Sequence, residues 1–152
     1  MELDDLYQEI ILDHYKHPRH FRAIPDAEAM VDEENPTCGD HIKLIARVEQ
    51  GRVAAVEVEC RGCAICTASS SMMTEKVMGQ PVADVRAFTQ SFTEMMRGQS
   101  SLDDEQLGDL ASLRGVQKYP LRVKCATMAW HAAVEALDDA PGAPPTITGP
   151  AA

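Results

Sequence analysis

The stretch HIKLIARVEQGRVAAVEVECRGCAIC, running from His41 to Cys66, holds two periodicities in one line. Ile42, Leu44, Ala46 and Val48 alternate with His41, Lys43, Ile45 and Arg47, and Val56 and Val58 keep the same period of two within 53–59. Alternation of this kind puts one apolar edge on each run. With Gln50-Gly51 as a turn between them, the spacing predicts an antiparallel hairpin. From Ala64 the apolar pattern becomes helical and continues to Met78, with Gly79 placed to end it.

Upstream, residues 4–17 read as an amphipathic helix capped by Asp4 or Asp5. Leu6, Tyr7, Ile10, Ile11 and His14 share a face, and Pro18 stops the helix. Residues 18–37 are irregular and end in the turn signal Asn35-Pro36, with room for a third strand around 29–31. Downstream, Pro81 lies early in a helix lined by Val85, Phe88, Phe92, Met95 and Met96 and closed by Gly98. A polar, acidic insertion, about 99–118, carries a short leucine pattern of Leu107, Leu110 and Leu113. Cys125 is expected to open a last helix with Met128, Ala129, Ala132, Ala133 and Leu137. The order of helix, strands and then helices predicts an α+β fold, a small antiparallel sheet packed against several helices. Residues 1–137 form its single domain. Residues 138–152, rich in Pro, Gly and Ala, are expected to be a disordered tail.

The 152 residues are 45% hydrophobic, enough for one buried core. A net charge of −10 argues against nucleic acid, whose phosphates need clustered Lys and Arg, and suits a basic patch on a protein partner. The acidic start has no apolar signal segment, and no run approaches the roughly 20 apolar residues of a membrane span. The expectation is a cytoplasmic monomer with no membrane contact, in a compartment where thiols stay reduced. Five cysteines, an odd number, then point to metal or sulfur chemistry rather than a disulfide framework.

Cys38 lies in the loop segment Asn35-Pro36-Thr37-Cys38-Gly39-Asp40, and in extended chain Cys38 and Asp40 point the same way. Cys63 follows Gly62 at the strand-to-helix junction, where a helix N-terminus favours a thiolate. Cys125 is flanked by Arg122 and Lys124, which act in the same direction. Three thiolates and a carboxylate suit a tetrahedral dication such as zinc. On spacing alone a second reading stays open, in which the cysteines are small buried hydrophobes. Cys60-x2-Cys63-x2-Cys66 lacks the fourth cysteine of a ferredoxin run, having Ser70 instead, while Cys63 and Cys66 form a Cys-x-x-Cys of redox type. His14, His17 and His20, with Lys16, Arg19 and Arg22, read as a basic island facing a partner. The serines 69–71 read as packing residues, with no His/Asp pair beside them in sequence.

Four blocks carry a family resemblance over about residues 3–137. They are Leu6-Tyr7-x-x-Ile10-Ile11-Leu12-Asp13-His14-Tyr15, the Asn35–Asp40 segment, Gly62-Cys63-Ala64-Ile65 followed by 68–74, and Arg122-Val123-Lys124-Cys125-Ala126-Thr127. The chain resembles the SufU/IscU-type iron–sulfur cluster assembly proteins, and within them the SufU branch. The insertion before the last block and Lys124, where IscU proteins carry a histidine, point to that branch. The resemblance implies a Zn2+ site made by Cys38, Asp40, Cys63 and Cys125. It also implies that Cys38 takes persulfide sulfur from a SufS-type cysteine desulfurase, for downstream cluster-assembly proteins. The alternative it leaves is a scaffold on which a [2Fe–2S] cluster is assembled and passed on. Cys60 and Cys66 stand outside the family's ligand set.

Overall fold

The computed structural model describes residues 3–140. The predicted hairpin is present as β2 (His41–Glu49) and β3 (Arg52–Arg61). Gln50 and Gly51 both take positive φ, 52° and 75°, which gives the two-residue turn whose twist matches the strands it joins. The register shifts between Arg47 and Val48, so that Ala54 is left without a partner. This bulge explains why Val53, out of period with Val56 and Val58, is buried with them.

The third strand, β1 (Val31–Glu34), begins where the expected one was to end. It pairs antiparallel with β2, Val31 opposite Leu44 and Glu34 opposite His41, giving the sheet order β1-β2-β3. The far edge of β3 is covered by a short pairing: the Arg22 N–H donates to the Val58 carbonyl at 3.0 Å, and the Val58 N–H to that of His20 at 3.1 Å. A covered edge removes a site for unwanted strand addition.

Among the described residues five α-helices complete the fold: α1 (Leu3–Lys16), α2 (Ala64–Val77), α3 (Val82–Met96), the short α4 (Asp104–Leu107) and α5 (Pro120–Asp139). None is long and apolar enough to cross a membrane. The cap expected of Asp4 or Asp5 and the packing of Leu6 concern side chains outside those described. The central element is α2, which packs against α1, α5 and β3 and is buried from Cys66 through Thr74. Its serines allow this close approach and satisfy their own hydroxyls. Ser69 Oγ donates to the Ala126 carbonyl at 2.5 Å and Ser70 Oγ to that of Cys66 at 2.7 Å. Across from it α5 presents alanines, Ala126, Ala129, Ala132, Ala133 and Ala136, all buried. Trp130 closes the far end between Phe88 and Phe92, at ring-centroid distances of 5.2 and 5.4 Å. Burying such a side chain contributes roughly 1.5–3 kcal/mol.

This packing places the insertion and corrects one expectation. The insertion is folded into the domain: α4 and a 3₁₀ segment (Gly108–Lys118) bury Leu107, Leu110 and Leu113 against α1 and α5. His14 is not part of a solvated basic island. It is 1% exposed, its Nδ1 2.7 Å from Ser71 Oγ and its Nε2 2.8 Å from Asp109 Oδ2, and so ties α1 to α2 and to the insertion. A His and an Asp therefore do accompany the serine run, through the fold. Ser71 is fully buried and accepts the Arg19 N–H, so it has no access to a substrate. At the other end, α5 holds Asp138 and Asp139, with Asp138 paired to Arg86, so order runs past residue 137. The remainder of the expected tail, 141–152, lies outside the described residues.

Candidate metal centre

Three segments far apart in sequence converge on one point. The first is the loop between β1 and β2, closed by hydrogen bonds from Asn35 N–H to the Asp40 carbonyl (2.8 Å) and from Gly39 N–H to the Asn35 carbonyl (2.7 Å). The buried Asn35 also accepts the Thr37 N–H on its side chain at 3.0 Å, an Asx turn that sets the course of the loop. Gly39, at φ 77°, supplies the left-handed residue that the reversal requires. The result is an exposed Cys38 beside an Asp40 that is 1% exposed.

The second segment is the junction of β3 and α2. Cys63 is the N-cap of α2, its Sγ accepting the Cys66 N–H at 3.4 Å, where serine or aspartate would ordinarily serve. The Cys63 N–H in turn donates to Asp40 Oδ1 at 2.9 Å, and its Sγ lies 3.7 Å from Asp40 Oδ2. Gly62 makes this contact possible: a Cβ there would fall 2.3 Å from Asp40 Oδ1. Gly62→Ala should therefore push the carboxylate off the junction, leaving a buried acceptor unpaired at a cost of about 1–3 kcal/mol. Thermal unfolding and metal retention measured beside Gly39→Ala check this. A Cβ at Gly39 meets nothing within 4 Å, so that variant carries only the backbone strain and should be the milder.

The third segment is α5. Cys125 is fully buried, and its Sγ lies 3.6 Å from that of Cys38. Two expectations about it fail. It does not open the helix, because Pro120, at the first helical position, starts α5 a turn and a half earlier. Nor is its thiol made more acidic by the neighbouring cations. Burial, reinforced by Asp40 and Cys38, pushes it well above the ordinary thiol range. Arg122 does stand beside Cys63 and Cys125, and their charge raises its own pKa. Lys124 lines a separate groove with Met96, Arg97 and Thr127.

The ligand atoms of Cys38, Asp40 and Cys125 lie within 4.8 Å of one another, and Cys63 joins the group through Asp40. Burial acts to raise the Asp40 carboxyl. Hydrogen bonds from the Cys125 thiol, the Cys63 N–H and the Cys38 and Cys63 thiols outweigh it and hold Asp40 below the usual range. A buried carboxylate facing three thiols, with no Lys or Arg among its bonded partners in the described residues, lacks the cation that burial of a charge calls for. That donor set fits a zinc ion. Cys60 and Cys66 lie behind Cys63, with Sγ atoms 3.4 Å apart. The hydrogen bond with Cys66, helped by Thr67 and Ser70, holds the half-buried Cys60 thiol below the ordinary range despite burial.

Sequence reading missed Gly62, whose role depends on a contact with a residue 22 positions earlier, and Asn35, seen only as a turn signal. An open cleft of about 820 Å³ adjoins the centre. Tyr7, Ile11, Ile65, Lys118, Tyr119 and Arg122 line it, and Arg114 adds a further cation; among the described side chains no carboxylate does.

Residues 6–138 match the NifU-like N terminal domain. The chain is 42% identical to the zinc-dependent sulfurtransferase SufU of Bacillus subtilis over 130 residues, 86% of this chain and 88% of that protein. It is 40% identical to the iron–sulfur cluster assembly scaffold protein IscU of Streptococcus pyogenes over 136 residues, 90% and 85% of the two chains. Among solved structures, a putative scaffold protein for the SUF system from Fervidobacterium islandicum superposes with a TM-score of 0.72 at 28% identity. That alignment covers 86% of this chain and 96% of the other.

Proposed function

The chain belongs to the NifU-like N-terminal domain family, and on that footing we propose that it accepts persulfide sulfur at Cys38 from a cysteine desulfurase. Zinc would be held by Cys38, Asp40, Cys63 and Cys125. The observation that carries this reading is the asymmetry of the donors: Cys125 and Asp40 are buried, whereas Cys38 is exposed on a loop. Asp40 and Cys125 anchor the centre, Cys63 is partly exposed, and Cys38 is the most accessible of the three thiols. When bound, zinc keeps the thiols deprotonated at neutral pH and adds binding energy to the fold.

The chemistry of the step follows from thiol exchange. The Cys38 thiolate attacks the outer sulfur of the donor's persulfide. A new S–S bond forms on Cys38, the donor's S–S bond breaks, and the donor cysteine leaves as a thiolate. Asp40, turned inward by the Cys63 N–H, keeps the buried donors in place while Cys38 moves. Arg122 beside the thiols lessens the excess negative charge of three thiolates and a carboxylate. The adjoining cleft, cationic on a protein of net charge −10, suits an acidic loop of the sulfur donor.

A second reading, a scaffold for a [2Fe–2S] cluster, is favoured by the likeness to the streptococcal IscU, since three thiolates and a carboxylate can also hold iron. Metal and sulfide content per chain, on protein purified anaerobically without added metal, separates the two. The expected result is about one zinc, no sulfide and no colour. Iron with matching sulfide would overturn the transfer reading.

A further inference from the structure

We propose that Cys60 and Cys66 form a second sulfur site, a dithiol that reacts with hydroperoxides and closes to a disulfide behind the metal centre. The sequence pairs Cys63 with Cys66 as a Cys-x-x-Cys, but the fold pairs them differently. The N-cap geometry of α2 turns the Cys66 backbone N–H toward Cys63 Sγ (3.4 Å) and leaves the Cys66 thiol 3.4 Å from Cys60 Sγ. The two thiols differ in access. Cys60, at the end of β3, is partly exposed, while Cys66 is completely buried in the first turn of α2. This is the arrangement of a reachable attacking thiol with a resolving thiol directly behind it. Neither belongs to the group formed by Cys38, Asp40 and Cys125, so closing the pair consumes no donor of that group.

The steps balance without further reactants. The Cys60 sulfur attacks one peroxide oxygen, the O–O bond breaks, and water (an alcohol, for an organic hydroperoxide) leaves, giving a sulfenic acid on Cys60. The Cys66 sulfur then attacks Cys60, the S–O bond breaks, and hydroxide departs with the Cys66 proton as water. Two thiols are oxidised by two electrons and one peroxide is reduced. A dithiol reductant reverses the bond by exchange. The product would tie the last residues of β3 to the first turn of α2 on either side of Cys63.

The test uses the whole chain, zinc-loaded, with one equivalent of hydrogen peroxide. The competing neighbours Cys38 and Cys125, 3.6 Å apart, are removed as a pair in a parallel Cys38→Ser chain, assayed with and without metal. Trypsin cuts after Arg61, so the bond would join peptide 53–61 to peptide 62–76, and fragmentation distinguishes Cys63 from Cys66. Expected are the loss of two of the five thiols per chain, a link between Cys60 and Cys66, unchanged zinc content and full recovery with dithiothreitol. The Cys38→Ser chain should form the same link, and Cys60→Ser should form none. A link between Cys38 and Cys125 in the zinc-loaded chain, or Cys60 as an unlinked sulfinic acid, would overturn the proposal. Because the Cys38→Ser chain is tested in both metal states, failure of the zinc or transfer reading leaves this result separately readable.

Discussion

A Cys38→Ser chain will take up no persulfide sulfur and will keep its fold. The first half follows from the nucleophile: a serine hydroxyl is not ionised near neutral pH and does not attack sulfur, so acceptance falls to background rather than by a modest factor. The second half follows from position. Cys38 is exposed, and the loop around it is closed by Asn35, Gly39 and Asp40 through bonds that do not involve its thiol. Incubation with a cysteine desulfurase and cysteine, followed by intact mass, reads the gain of one sulfur atom directly. Thermal unfolding on the same samples reads the fold. Sulfur gain on the variant would remove Cys38 from the mechanism. Stimulation of the desulfurase by a variant that accepts no sulfur would mark the chain as a regulator that binds without transfer.

How far the sequence revealed this depends on which interactions are local. The hairpin was legible because alternation and a Gln50-Gly51 turn are properties of adjacent residues, and Gly51 is the identity that favours the positive φ found there, which Gln50 also adopts. The bulge at Ala54 was not, since it shows only when the two strands are laid together. Cys63 was legible as a junction residue, because a strand period gives way to a helix period there. What the junction touches was hidden: the Cys63 N–H to Asp40 Oδ1 bond spans 23 residues, and the space it needs comes from an absent Cβ at Gly62.

Cys125 shows the opposite failure. Local charge from Arg122 and Lys124 predicted a more acidic thiol, but tertiary burial and Asp40 reverse the direction. His14 failed for the same reason. Its sequence neighbours are basic and exposed, yet its own position on α1 faces Ser71 and the insertion. The leucines of that insertion gave a signal of burial despite its acidic composition, and Leu107, Leu110 and Leu113 are buried.

Removal of the metal should then produce the largest change in stability, and a localised one. The proposed donors join three segments: the loop at residues 35–40, the start of α2 and the second turn of α5. A ligand present at a thousandfold over its dissociation constant stabilises by about 4 kcal/mol. For a chain of this size that corresponds to a fall of roughly 10 °C in the unfolding midpoint on chelation, restored by added zinc. The apolar core of α2, α5 and the sheet does not depend on these donors, so the chelated protein should remain folded. Hydrogen exchange should speed up first at 35–40, 62–66 and 120–127, and least in the centre of α2 near Met73. Acid should act in the same direction. Burial keeps the Cys125 thiol protonated in the metal-free protein, so binding must displace that proton, and retention weakens as pH falls. An unchanged midpoint would mean that these four residues do not hold a metal. Uniform loss of protection would mean that the metal is needed for the whole fold rather than for the convergence of these three segments.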